Sequence, residues 1–183
     1  MKNLFFFLLP LLLIACKGVD QYRAPIEELS GNWDTTTKAI TDFQAQVSSE
    51  LTSYTQALAK MQPDDATKMK LTPDQVGAWE NSQKAVTDAL GAYAPMQKTI
   101  NDFVQTWSEK SAEVTALKDG LAAGKIEGDV NAKITELNAM VATGNENLTA
   151  WRASYATVKS SVDASFNALQ QLYGTLSAPA MKK

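Results

Sequence analysis

Apolar side chains recur at steps of three and four through long stretches of this chain, and that spacing leaves little room for anything but helix. The first series runs Ile26, Leu29, Trp33, Ile40, Phe43, Val47, Leu51, Tyr54, Leu58 and Met61, with Thr36 filling its one gap. Such steps line one face of a helix, whereas a half-buried strand would alternate at every second residue. Pro25 suits the first turn, and Ser30-Gly31 weakens the start that follows it. Gln62-Pro63-Asp64-Asp65 breaks the pattern, and Thr72-Pro73-Asp74-Gln75 restarts it with a capping Thr, a Pro at the first helical position and a Gln three residues on.

The second series is Val76, Trp79, Val86, Leu90, Tyr93, Ile100, Val104, Trp107, Val114 and Leu117, stopped by Asp119-Gly120. Gly91 and Pro95 fall inside it, and Pro95 predicts a kink because its nitrogen has no proton to donate. Gly120–Gly128 reads as a connection, and Asp129 as the cap of a third helix. That helix has the series Val130, Ile134, Leu137, Val141, Gly144, Leu148, Trp151, Tyr155, Val158, Val162, Leu169 and Leu172, ending at Gly174.

The spacing therefore predicts an all-α fold, an elongated antiparallel three-helix bundle over 25–174 with coiled-coil-like heptad seams. Its helices span about 25–61, 73–119 and 129–173, roughly 55–70 Å at 1.5 Å per residue. Residues 16–24 read as a flexible tether and 175–183 as a loose C-terminal tail. A four-helix alternative turns the chain at Gly91–Pro95; unbroken phase from Tyr93 to Ile100 favours three. Antiparallel packing places Trp33, Ile100 and the Leu148/Trp151 pair in one layer, and Tyr54, Trp79 and Phe166 or Leu169 in another. At seam positions these aromatics read as core rather than as a ligand groove.

Residues 1–15 are set apart as a signal peptide. Lys2 precedes an apolar run from Leu4 to Ile14 that suits an export signal and falls short of the roughly 20 residues a membrane span needs. Its end, Leu13-Ile14-Ala15-Cys16, resembles the lipobox of bacterial lipoproteins. The resemblance covers the N-terminal 16 residues and implies cleavage between Ala15 and Cys16. It also implies a thioether-linked diacylglycerol on Cys16, and an acyl chain such as palmitate on the new amino group. Two or three acyl chains anchor stably where one binds only marginally. In enterobacterial lipoproteins an Asp after the Cys retains the protein at the inner membrane; Lys17 here implies the outer membrane.

Composition narrows the chemistry. The 183 residues carry 17 Lys+Arg against 20 Asp+Glu, no His and one Cys. A net charge of -3 disfavours nucleic acid as a partner. The lack of His removes imidazole bases and Ser–His triads, and one Cys makes neither an internal disulfide nor a Cys-rich metal cluster. Gly120-Leu-Ala-Ala-Gly124-Lys125-Ile126 only superficially suggests a phosphate loop: it is one residue short between the glycines, and Ile126 stands where a Ser or Thr is needed. Asp64, Asp65 and Asp74 lack the alternating oxygen ligands of a calcium loop and read as turn and cap residues. Glu27, Glu28, Asp119, Glu127 and Asp129 sit near helix ends, where carboxylates are expected for dipole reasons. The Asn147-Leu148-Thr149 sequon lies mid-helix and is uninformative. No metal and no cofactor beyond the lipid on Cys16 is expected.

The reading is a non-enzymatic, outer-membrane-anchored lipoprotein acting as a helical scaffold, spacer or protein-binding module of the cell envelope. An alternative is a surface-exposed adhesion or host-interaction lipoprotein. A further one starts from the ending Met181-Lys182-Lys183. In outline the chain resembles the murein lipoprotein family of enterobacteria, and that likeness implies a peptidoglycan tether through Lys183. An envelope enzyme using carboxylates alone ranks last.

Overall fold

The computed structural model describes residues 17–177. The elements among them are α1 (Lys17–Asp20), α2 (Arg23–Lys60), α3 (Asp65–Lys68), α4 (Pro73–Gly91), α5 (Tyr93–Ala122) and α6 (Val130–Ser177), with no strand among the described residues. The protein is all-α, and its long helices pack against one another.

Local chemistry explains the element boundaries. Of the residues read as a tether, 17–24 are described, and α1 and the start of α2 occupy most of them. The Tyr22 amide donates to Val19 O at 2.9 Å, Ile26 N donates to Tyr22 O at 2.9 Å, and Arg23 pairs with Asp20 at 3.0 Å. These short-range bonds make helical turns without any apolar period, which is why the seam pattern missed them. Ahead of α4, Thr72 forms the expected capping box: its hydroxyl accepts from Gln75 N, and the Gln75 side chain accepts from Thr72 N.

The expected helix over 73–119 is two helices. Its break falls at Ala92, whose N–H turns to Ala89 O at 3.1 Å. Pro95 is the cause: it gives no proton back to Gly91, and its ring crowds that carbonyl. The chain then remains helical past Asp119-Gly120 to Ala122. It ends in a Schellman motif, with Lys125 N donating to Gly120 O at 2.8 Å and Gly124 N to Leu121 O at 3.2 Å. Gly124 adopts φ 71°, the left-handed conformation this cap requires. Asp129 caps α6 as expected, accepting from Ala132 N at 3.0 Å. Gly174 does not end α6, which continues through residues 175–177 of the expected loose tail. Lacking a left-handed φ there, a single glycine costs helix stability without stopping the helix.

The chain divides into two compact units. One joins the described residues up to Thr41 with Asp102–Leu148, and the other joins Asp42–Asn101 with the described residues from Thr149 onward. In the first, Trp33 and Trp107 stack with ring centroids 3.8 Å apart and an interplanar angle of 17°. Both indole N–H groups are satisfied: Trp33 donates to Ser111 Oγ at 3.0 Å and Trp107 to Thr37 Oγ1 at 2.8 Å. A Cβ at Gly144 would come within 3.0 Å of both Thr36 Cγ2 and the Trp107 ring, so only glycine fits without a shift. The expected layer of Trp33 with Ile100 is therefore off by one heptad, since the partner of Trp33 is Trp107. Heptad phase fixes which face is buried but not which turn meets which, and the notch at Gly144 helps to set that choice.

In the second unit Met61, Trp79, Val86, Phe166 and Leu169 form one buried cluster, with Tyr54, Leu58, Leu90, Leu172 and Tyr173 packed against it. This matches the expected second layer. Tyr54 meets Phe166 edge to face at 5.4 Å, and Trp79 lies 5.9 Å from Tyr173. All four tryptophans, Trp33, Trp79, Trp107 and Trp151, are buried.

Candidate functional site

The richest polar chemistry lies in the second unit, along the line where α2 meets α6. From α2, Gln46, Glu50 and Tyr54 stand one turn apart; from α6, so do Tyr155, Lys159 and Asp163. Gln46 Nε2 donates to Tyr155 Oη at 3.2 Å, and the Tyr155 hydroxyl donates to Glu50. The Lys159 ammonium donates to Glu50 Oε1 at 2.6 Å, to Tyr54 Oη at 3.0 Å and to Asp163 at 3.1 Å. The Tyr54 hydroxyl donates in turn to Asp163, and Lys159 also lies 5.4 Å from the centre of the Tyr54 ring. Partners advance together along both helices, so α2 and α6 run parallel in this unit.

Mutual contact tunes these groups. Hydrogen bonds to Glu50 and then Tyr54 hold the Lys159 ammonium charged far above the usual lysine range. The Tyr54 hydroxyl, ahead of Lys159, holds the Asp163 carboxyl below its ordinary value. Burial, then the Asp163 bond, pushes the Tyr54 phenol up. Tyr93 is fully buried beside this ladder with its hydroxyl unpartnered, and burial followed by the charge of Glu50 pushes it up to about 12. Two carboxylates against one ammonium make the ladder acidic by one charge, and Lys159 already fills the place a cationic ligand would take. Next to it, Gln46, Ser49, Glu50, Ser53, Tyr54, Ala57 and Phe166 line an open groove of about 510 Å³. That volume falls in the range of small-ligand sites, but the groove is shallow and its charged member is committed to Lys159.

A pH dependence follows for Asp163. Its folded pKa lies below its ordinary 3.8, so its contribution to stability is fully present above that value and is lost as pH falls through the folded pKa. Asp163→Asn is expected to flatten the fall in stability below about pH 4, read as the urea midpoint of wild type and variant from pH 6 down to pH 2.5. Curves that stay parallel over that range would mean Asp163 does not carry the acid dependence.

The residues singled out from sequence lie elsewhere. Ala15, Cys16 and Lys183 lie outside the described residues. Asp64 caps α3, its carboxylate accepting from Thr67 N at 2.6 Å, and this contact holds its pKa low. Glu27 lies 3.9 Å from Arg23, and Glu127 lies 3.0 Å from Lys125. Gly120–Ile126 is the Schellman cap described above. Among the described residues no group of three or more His, Cys, Asp or Glu is placed to hold a metal ion, and no helix is long and apolar enough to cross a membrane. The ladder escaped the sequence reading, which took Tyr54 and Tyr155 as seam residues of the core; its signal was the four-residue repeat of 46/50/54 and 155/159/163, which sets polar residues next to those two. Its opposite charges lie 109 residues apart in sequence, and nothing local pairs them. No protein-family model matches the chain, and comparison with curated proteins and with solved structures finds no significant match.

Proposed function

We propose that the chain is a non-enzymatic lipoprotein of the bacterial envelope, anchored through acyl chains on Cys16 and acting through its helical body as a scaffold, spacer or protein-binding module. The observation that carries this reading is Leu13-Ile14-Ala15-Cys16 at the end of a short apolar run, with the only Cys of the chain at the cleavage point. Helix begins at Lys17, so the folded body would follow the anchor with little intervening chain. Lys17 itself supports sorting to the outer membrane.

The same reading takes α2, the broken α4–α5 pair and α6 as an antiparallel three-helix bundle with heptad seams. Two observations support it. In the first unit, Trp33 and Thr37 of α2 meet Ser111 and Trp107 of α5 in reversed order, as antiparallel neighbours do. In the second, α2 and α6 run parallel, as the outer members of an up-down-up arrangement must. The polar ladder is then an internal clamp, consistent with a body that transmits position rather than performing chemistry.

The test is separation of inner and outer membranes from cells grown with labelled fatty acid, followed by protease treatment of intact and permeabilised cells. Label on the protein in the outer-membrane fraction, with protection until permeabilisation, is the expected result for a periplasmic scaffold. Digestion on intact cells would move the reading to a surface adhesion protein. A soluble, unlabelled mature protein would overturn it.

A further inference from the structure

Helix α4 is held differently from the other long helices. Of its residues only Trp79 and Val86 are buried. Its side-chain hydrogen bonds and ion pairs, among the described residues, stay within α4 or reach back to Thr72: Lys84 with Asp88 at 2.6 Å, Thr87 with Gln83 O at 3.0 Å, and the capping box. By contrast, α2 and α6 are clamped by the Glu50–Lys159–Asp163 ladder, and α2 is bonded to α5 through Gln44 and Asn101 at 2.8 Å. Each polar tie across helices adds a modest net resistance to their separation; among the described residues α4 has no such tie to another helix.

Both ends of α4 are also loosened. At its C-terminus the helical ladder breaks at Ala92, next to a Gly91 whose missing side chain faces open space. Before its N-terminus lies the connection over 61–72, with a four-residue α3 and the exposed Met69. A cavity of about 300 Å³ separates that connection from α4, lined by Pro63, Leu71, Val76 and Trp79 among others. Elements with few buried contacts and hinges at both ends open at a free energy below that of global unfolding.

We propose that α4 is a detachable strap: it opens as a unit between the 61–72 connection and the Ala92 joint while α2 and α6 stay paired. Opening withdraws Trp79 and Val86 from the cluster in which they sit with Met61, Phe166 and Leu169, and exposes an apolar face on α2 and α6. In the closed state Trp79 and Val86 cover that face.

Native-state amide hydrogen exchange on the full chain tests this. The amides of Val86 and its neighbours in α4 are expected to exchange roughly tenfold or more faster than those of Val162 and Leu169 in α6, with a weaker dependence on added urea. The mild variant Ile134→Val in the first unit separates the two routes. It should speed exchange of the slowest α6 amides about fivefold, because they open only by global unfolding, and leave α4 exchange unchanged. If α4 and α6 amides exchange at similar rates, or accelerate together in Ile134→Val, α4 is not a strap.

Discussion

Truncating Trp107 to alanine is expected to lower stability by about 3–5 kcal/mol, a large share of what a domain of this kind possesses. Trp107 is 3% exposed, stacks on Trp33 at 3.8 Å and donates its indole proton to Thr37. Its removal strips one face of Trp33, leaves the Thr37 hydroxyl without its donor and opens a cavity. The opposite wall gives no help in closing that cavity, because it is Gly144, with no side chain to move inward. The loss should therefore fall toward the upper end of the range, read as the shift in a urea or guanidinium unfolding curve. Trp107→Phe keeps an aromatic ring against Trp33 and gives up the bond to Thr37, so it should lose well under half as much. A loss near that of a surface substitution in Trp107→Ala would show that the stack is not a core element.

Much of this core was legible in the sequence, and the reason is periodicity. Ile26, Leu29, Trp33, Trp107, Leu117, Leu137 and Leu169 all lie on the seams, and all are buried. Thr72-Pro73-Asp74-Gln75 and Asp129 were legible because capping is a local contest between a few side chains and the first amides of a helix. Register was not. A heptad seam looks the same after a slip of seven residues, and only a particular shape such as the Gly144 notch distinguishes Trp107 from Ile100 as the neighbour of Trp33. The Ala92 break was visible as Pro95, but whether a proline bends a helix or divides it depends on where the freed amide turns. The ladder of Glu50, Tyr54, Tyr155, Lys159 and Asp163 is wholly a product of that register.

Replacing Cys16 by serine carries the second large expectation, and it is all or none. A hydroxyl is far less nucleophilic than the thiolate that forms a thioether, so Cys16→Ser should carry no fatty-acid label and should not fractionate with membranes. The described core contains no Cys, and the helical circular dichroism spectrum should be unchanged, so that lost attachment is not mistaken for lost folding. Membrane fractionation with retained label would mean that the attachment chemistry lies elsewhere, and the lipobox reading would fall.

The parallel seating of α2 against α6 bears on the order in which the molecule assembles. Tyr54 and Asp163 are separated by 109 residues, and Tyr155 and Glu50 by 105. Both compact units draw residues from α2 and from α6, so neither core closes until the last helix has been synthesised. A ribosome making this chain releases α2, α4 and α5 before the partner that completes them exists. Nearest-neighbour helices can dock early, but the clamp between the first and last long helices waits on closure of a very long loop, which places this chain among slower-folding helical proteins. Truncation of α6 would therefore disable both units at once.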